Sequence, residues 1–406
     1  MTTNYYTVPN SSSSIHSFPW KPWCTVDPHY LTDPNKKIFS VKPDFELIFK
    51  KISATLGNCD RLAVISNSII GVMNWHSIPI SCQYEAISNG AAVFEASAMF
   101  YYRFKGPQAE KLLNYLTPRD IGKLKPMECM FVVLTNEIGA VDDEAVLLRI
   151  SEDEFLLSSG GCKPLTYLSI ALETYCDVNV SYNDTISFNI KGPQRFNAIK
   201  ELIINDDQHR LDALKDMSLC HARLKSGEKV LIVRTNIGME MWGSSDAIAL
   251  AWDAMLISPE TYTVCGWDML NSFRMDCDEF QFSLYPLELN HDTTLWEVGL
   301  GWMTYEKKTI YVGKRALESK KNQMRFRINR LLFDIDSKLA PFGSEIFTED
   351  GCFVGIITSS AYSFKHGYIS AFAHIIPDCH EKIFLVRVPS EHKFDDTHMK
   401  CHLISS

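Results

Sequence analysis

Phe100 to Leu116 reads FYYRFKGPQAEKLLNYL, and Ile186 to Ile204 reads ISFNIKGPQRFNAIKELII. Each begins as a strand, stops at Lys-Gly-Pro-Gln, and restarts with helical spacing. Gly and Pro end the strand, and Pro suits the first turn of the helix that follows. In the first copy Ala109, Leu112 and Leu116 fall on one helical stripe. Two such units in one chain predict an α+β fold built from a duplicated half. Gly-Pro turns are common, so the echo alone is also compatible with chance.

Reading outward, Asp44 to Thr55 has the pattern of a short helix, and Ala91 to Phe104 alternates as strands do. After the first echo come strand-like runs at Cys129 to Leu134, Ala145 to Ile150 and Phe155 to Ser158, then a helical stretch at Pro164 to Tyr175. Past about Lys320 the character changes. Arg325 to Asp334, Glu345 to Phe347, Gly355 to Thr358 and Ile383 to Val388 are short strand candidates separated by turn residues. We therefore expect three parts: an N-terminal arm over 1–43, extended on the body or partly disordered; a catalytic region of two α+β subdomains over 44–324; and a small C-terminal β domain over 325–406.

Composition narrows the function. Of 406 residues 46% are hydrophobic, enough for a sizeable core. The net charge of −9 argues against a nucleic-acid binder that works by neutralising phosphates. The 12 cysteines include no CxxC pair, and there is no HExxH, so no metal site is expected. Free thiols in a reducing cytosol are the simpler reading, and a cytoplasmic location follows. No signal peptide is evident at the start, and no run of about 18 apolar residues is present to span a membrane.

Few residues stand out as chemical. Glu240 lies in Thr235 to Gly243, TNIGMEMWG, between two methionines that alternation puts on the other face. Its two oxygens suit a ligand offering two neighbouring N–H donors, although an exposed strand glutamate has the same pattern. Trp242 supplies a stacking wall or simply core. The adjacent Asp142 and Asp143 point to opposite faces of an extended segment, so at most one faces a given cavity. His76 and His291 are candidate acid–base groups, and either is equally a structural histidine. GxSxG, GxGxxG and GxxxxGK[ST] are all absent.

Taken in order, these segments resemble the glycine-cleavage T-protein (aminomethyltransferase) superfamily, which includes tetrahydrofolate-dependent O- and S-demethylases. Glu85 to Ser97 resembles its segment ending "fDvS", with Glu95 for Asp. Lys105 to Leu113 resembles "GpdAexfL", Thr135 to Asp143 "tNexGgilDD", and Ile190 to Pro193 "lqGP". Gly238 to Gly243 resembles "GyElwGp", Phe273 to Asp276 "LRlE", and Thr294 to Trp302 "tPxEaGLgw". Tyr311 to Leu317 resembles "FiGkeAL", and Gly355 to Ser363 "vGxvTSgxxSP".

The resemblance implies a three-subdomain fold: duplicated α+β halves around a central folate cavity, then a small C-terminal β-barrel or jelly roll. It implies tetrahydrofolate as cofactor and a small-molecule methyl donor or acceptor as partner. Glu240 would grip the pterin, and Asp143 would lie near the nitrogens where the one-carbon unit moves. Ile190 and Trp242 would complete the folate site. The T-protein's Ala-Arg-Asp motif is replaced by Asp268 to Ser272, which leaves Arg274 as a candidate for that arginine's role. The expected activity is methyl transfer between a methoxy, methylthio or methylamino compound and N5 of tetrahydrofolate. Aminomethyl or methylene transfer, and folate binding without catalysis, are the alternatives.

Overall fold

Both Lys-Gly-Pro-Gln turns join a strand to a helix. In the computed structural model Phe100–Lys105 leads into Ala109–Leu116, and Thr185–Lys191 into Arg195–Leu202. The structure describes residues 24–31, 39–65, 68–160, 168–182, 185–277, 288–289, 292–334, 337–388 and 398–404. Gly106 and Gly192 hold φ angles of 146° and 99°, a region that L side chains avoid. Just beyond each turn, Gln108 and Gln194 donate their backbone N–H to Asp177 O (3.4 Å) and Gly90 O (3.0 Å). A Cβ at position 192 would stand 2.4 Å from Gly90 O and 2.6 Å from Ala86 O. Gly192→Ala is therefore expected to cost about 2–3 kcal/mol, read as a lower urea midpoint. An unchanged midpoint would show that the turn tolerates a side chain.

The echo extends well past the turns. Each strand and helix of the echo is followed by three antiparallel strands: Glu128–Thr135, Val141–Ser151 and Glu154–Ser159 in the first half; Ser218–Arg223, Lys229–Thr235 and Gly238–Ser244 in the second. In each half the third of these pairs back onto the echo strand. The order is thus the same twice, and the halves join as one eleven-stranded sheet. They meet between equivalent strands at the single pair Ser218↔Glu128. Met127 and Met217 stand at matching places there, both with positive φ (65° and 55°). Cys129 N–H donates to Met217 O and Leu219 N–H to Met127 O, both at 3.0 Å. The reciprocal exchange marks a local two-fold relation between the halves.

Side-chain alternation then divides each half into two faces. One face is covered by helices. Phe104, Leu147 and Phe155 pack there with Leu112 and Leu116 in the first half. Phe188, Ile190, Met239 and Met241 pack with Ile199 and Trp252 in the second. That second core also takes in the helix Pro43–Leu56 and the sheet of Cys24–Val26, Leu62–Ile65 and Ser68–Val72. The stretch read as an arm therefore contributes an edge strand, Cys24–Val26, paired antiparallel to Leu62–Val64; residues 1–23 lie outside the described ones. The other faces of the two halves turn toward each other, with Tyr101, Leu148, Leu219, Val233 and Trp242 between them.

The C-terminal part is a closed six-stranded barrel, from Arg327–Phe333 to His398–Leu403, which pairs back onto it. Closure leaves no open edge. Before it, Leu295, Val298, Leu300 and Tyr311 pack on Val133 and Val141 of the first half. Their segment closes one side of the space between the halves.

Candidate active site

The site begins with one strand pair. Thr185–Lys191 and Gly238–Ser244 run antiparallel with Asn189 opposite Glu240 and Ser187 opposite Trp242. Ile186, Phe188 and Ile190 point to the helices, as do Met239 and Met241, so Ser187, Asn189, Glu240 and Trp242 share the inner face. Facing them from the first half are Phe131, Val133, Glu144 and Ser158. With Met99, Leu300 and Met303 they enclose a cavity of about 210 Å³.

Glu240 is buried in this wall. Its Oε2 accepts a hydrogen bond from Trp242 Nε1–H at 2.7 Å; Oε1 has no partner among the described residues. The Trp242 ring is fixed in turn by Tyr101, edge-on at 5.1 Å. The Tyr101 hydroxyl donates to Ala96 O (3.1 Å) and shares a 2.8 Å hydrogen bond with Ser187 Oγ. Burial raises the Glu240 carboxyl above the usual range, while the Trp242 N–H and the Lys191 ammonium work against that rise. Lys191 is buried too; burial pushes it down to about 8, opposed by the charge of Glu240. Its Nζ donates to Ile237 O at 3.3 Å. The matching lysine of the first echo, Lys105, is exposed and pairs with Glu154 at 3.1 Å. The duplicated motif has thus kept its turn but placed one lysine beside the buried acid.

Several predicted residues stand elsewhere. Asp143 is buried on the helix-covered face of its strand, where Oδ1 accepts from Glu144 N–H (2.8 Å) and Oδ2 from Ser159 Oγ. Glu144, the next residue, takes the cavity wall instead. The reason is local: pairing skips from Leu134↔Asp143 to Thr135↔Val141, so Asp142 is the extra residue of a bulge. Ile190 directs its side chain into the helix-backed core. Trp242 holds Glu240 and is absent from the lining. Arg274 is buried in an ion pair with Glu288, at the seam with the barrel. His76 is exposed in a loop whose backbone N–H donates to Asn58 O (3.2 Å), away from the cavity. His291 lies outside the described residues.

Sequence reasoning passed over Glu144, Ser187, Asn189 and Lys191. The last three were legible in principle. In ISFNIK the polar residues alternate with Ile186, Phe188 and Ile190, the pattern of a strand with one wet face. Among the described residues no cluster of His, Cys, Asp and Glu is arranged to hold a metal, and no helix is long and apolar enough to cross a membrane.

Comparison with known proteins agrees with this architecture. The family described as the GCVT N-terminal domain matches residues 73–308. The chain is 27% identical over 314 residues to the heme-dependent oxidative N-demethylase gamma subunit of Ectopseudomonas mendocina (strain ymp), covering 74% of this chain and 81% of that one. It is 23% identical over 296 residues to the aminomethyltransferase of Chlorobium chlorochromatii (strain CaD3), covering 70% and 78%. The structure of glycine cleavage system aminomethyltransferase T from Bartonella henselae matches with a TM-score of 0.74 at 17% identity, over 90% of this chain and 97% of that one. The α+β halves, the C-terminal barrel and the family match agree, and the chain belongs to the glycine-cleavage T-protein superfamily of one-carbon transferases.

Proposed function

We propose that this protein moves a methyl group between a small methoxy, methylthio or methylamino compound and N5 of tetrahydrofolate. The observation that carries the reading is Glu240: a buried carboxylate on a cavity wall, held by Trp242 through one oxygen, with the other oxygen unpartnered among the described residues. An aminopyrimidinone edge presents two neighbouring N–H donors, and a carboxylate accepts both. Asn189 lies directly across the strand pair for a further hydrogen bond. Phe131, Val133 and Leu300 offer apolar contact to the faces of a flat ring. Lys191 favours the ionised form of Glu240 that such a ligand needs.

In this reading Asp143 is a positioning residue. It fixes the backbone of Glu144 and the hydroxyl of Ser159 from behind the wall. The chain's remaining task is to exclude water and hold donor and acceptor in line. The N-demethylase gamma subunit among its relatives supports demethylation. Aminomethyltransferases of similar identity support a second reading, transfer of an aminomethyl or methylene unit.

Incubation of the purified protein with tetrahydrofolate and donors of the three classes is expected to form 5-methyltetrahydrofolate. Methylene-tetrahydrofolate as the product would favour the second reading. Tight folate binding without turnover on any donor would leave a folate-binding protein that is not a catalyst.

A further inference from the structure

Glu240 accounts for two polar groups of an aminopyrimidinone edge and leaves a third unread. That edge runs 2-amino N–H, ring N3–H, 4-oxo: two donors and then an acceptor. A carboxylate only accepts, so it takes the two donors and repels the oxygen beside them. A wall that holds the whole edge needs a donor next to the acid. Asn189 stands there. It lies directly opposite Glu240 in the antiparallel pair, a placement that sets the two Cβ atoms about 5 Å apart. Both residues line the cavity. On its other side Asn189 pairs with Phe94, which offers no polar group, and its carboxamide has no hydrogen-bond partner among the described residues. The neighbouring donors on this face are committed elsewhere. Trp242 Nε1–H goes to Glu240 Oε2, Ser187 Oγ shares its hydrogen bond with the Tyr101 hydroxyl, and the Lys191 ammonium is directed to Ile237 O, outside the lining. The charge of Glu240 also sets which way the amide turns: it repels the Asn189 carbonyl oxygen and attracts the NH₂.

We infer that Asn189 donates from Nδ2 to the 4-oxo group of the pterin, so that Glu240 and Asn189 together read a donor–donor–acceptor edge and select against rings without the oxo oxygen. The inference rests on the folate reading of Glu240 and makes Asn189 a specificity-determining residue of that site. Asn189 lies just before Ile190 to Pro193, the segment by which this strand resembles its family, so the motif itself does not assign it. Selectivity follows from the cavity's apolar remainder. Phe131, Val133 and Leu300 offer no donor, so a 4-oxo group that loses the Asn189 N–H is left unpaired in a poorly solvated space. A site that reads a ligand's polar group by a dedicated partner rejects the analogue that lacks it.

The test uses the full chain and two small pterins, titrated by calorimetry under argon at neutral pH: 6-methyltetrahydropterin and its 4-thioxo analogue. The analogue keeps both N–H donors for Glu240 but presents sulfur, a weak acceptor, to Asn189. Wild-type protein is expected to bind the oxo compound about tenfold more tightly, the effect of one buried acceptor left poorly paired. Asn189→Leu, similar in size and without a donor, is expected to weaken binding of the oxo compound about tenfold and to hold the two pterins within about twofold of each other. Equal binding of both pterins by wild-type protein, which needs no variant to fold, would overturn the inference and leave the Glu240 reading standing. So would a tenfold preference that survives in a folded Asn189→Leu, since the size of sulfur and not Asn189 would then set it. Failure of wild-type protein to bind either pterin would overturn the inference and the folate reading together.

Discussion

Arg274→Ala is expected to destabilise the protein by about 3–5 kcal/mol, the cost of breaking a buried ion pair from one side. Arg274 and Glu288 are fully enclosed and meet through two bonds, NH1 to Oε2 at 2.8 Å and NH2 to Oε1 at 3.1 Å. Arg274 Nε donates to Asn271 Oδ1 (2.9 Å), and Thr358 Oγ1 donates to Glu288 Oε1 (2.9 Å). The network ties the helix Trp267–Asp276 to the barrel strand Phe353–Ser363. Removing the guanidinium leaves Glu288 fully buried without the Arg274 counter-charge. Replacing both residues with apolar ones of similar size, Arg274→Met with Glu288→Leu, is expected to recover most of the loss. Urea unfolding of the two variants decides this. A loss under about 1 kcal/mol in the single variant would show that the pair is not what holds the barrel to the body. Folate affinity of the folded single variant is expected to be unchanged, because neither residue lines the cavity.

The fate of Arg274 shows where sequence reasoning stops. The motif around it was legible, and so was its arginine, but its partner Glu288 is fourteen residues away in a stretch with no period to read. Nothing local says that a basic residue will be spent on a seam. The duplicated halves were legible because turn chemistry is local: Gly106 and Gly192 need the same unusual backbone, so the same four residues recur. The helix stripe Ala109, Leu112, Leu116 is equally local, and it is buried as read.

Strand faces were legible only until a bulge intervened. Alternation says that Asp142 and Asp143 diverge, but it cannot say that Asp142 is an extra residue opposite Thr135. That one insertion turns Asp143 to the helices and Glu144 to the cavity. In the barrel, Gly355 to Thr358 proved to be the middle of the longer strand Phe353–Ser363. Its neighbour Tyr368–Ile375, YISAFAHI, went unread because small residues blur the alternation there. Closure makes the difference: inside a small barrel a small side chain is buried as fully as a large one, as Ala371 and Ala373 are.

Glu240→Gln carries the larger functional consequence. A carboxylate accepts two N–H donors at once, whereas an amide offers one acceptor and turns an NH₂ against the second donor. Hydrogen bonds to a charged group contribute about 1.5–3 kcal/mol each, so losing one, setting an NH₂ against its donor and removing the charge from the other weakens binding by about a hundredfold. The substitution also has a pH signature. Burial raises the Glu240 carboxyl, and only its ionised form accepts both donors. Wild-type affinity is therefore full above that raised value and falls by about tenfold per pH unit below it, while the glutamine variant has no such slope. Trp242 keeps its ring packed on Tyr101 in either protein, so the fold is not expected to change.

Calorimetric titration of (6S)-tetrahydrofolate, under argon and across a pH series, into wild-type protein and Glu240→Gln measures both effects in one experiment. Loss of about a hundredfold in affinity together with loss of the acid-side slope is the predicted result. Equal affinities and parallel pH profiles would mean that Glu240 does not hold the pterin, and the assignment of this cavity to folate would be wrong.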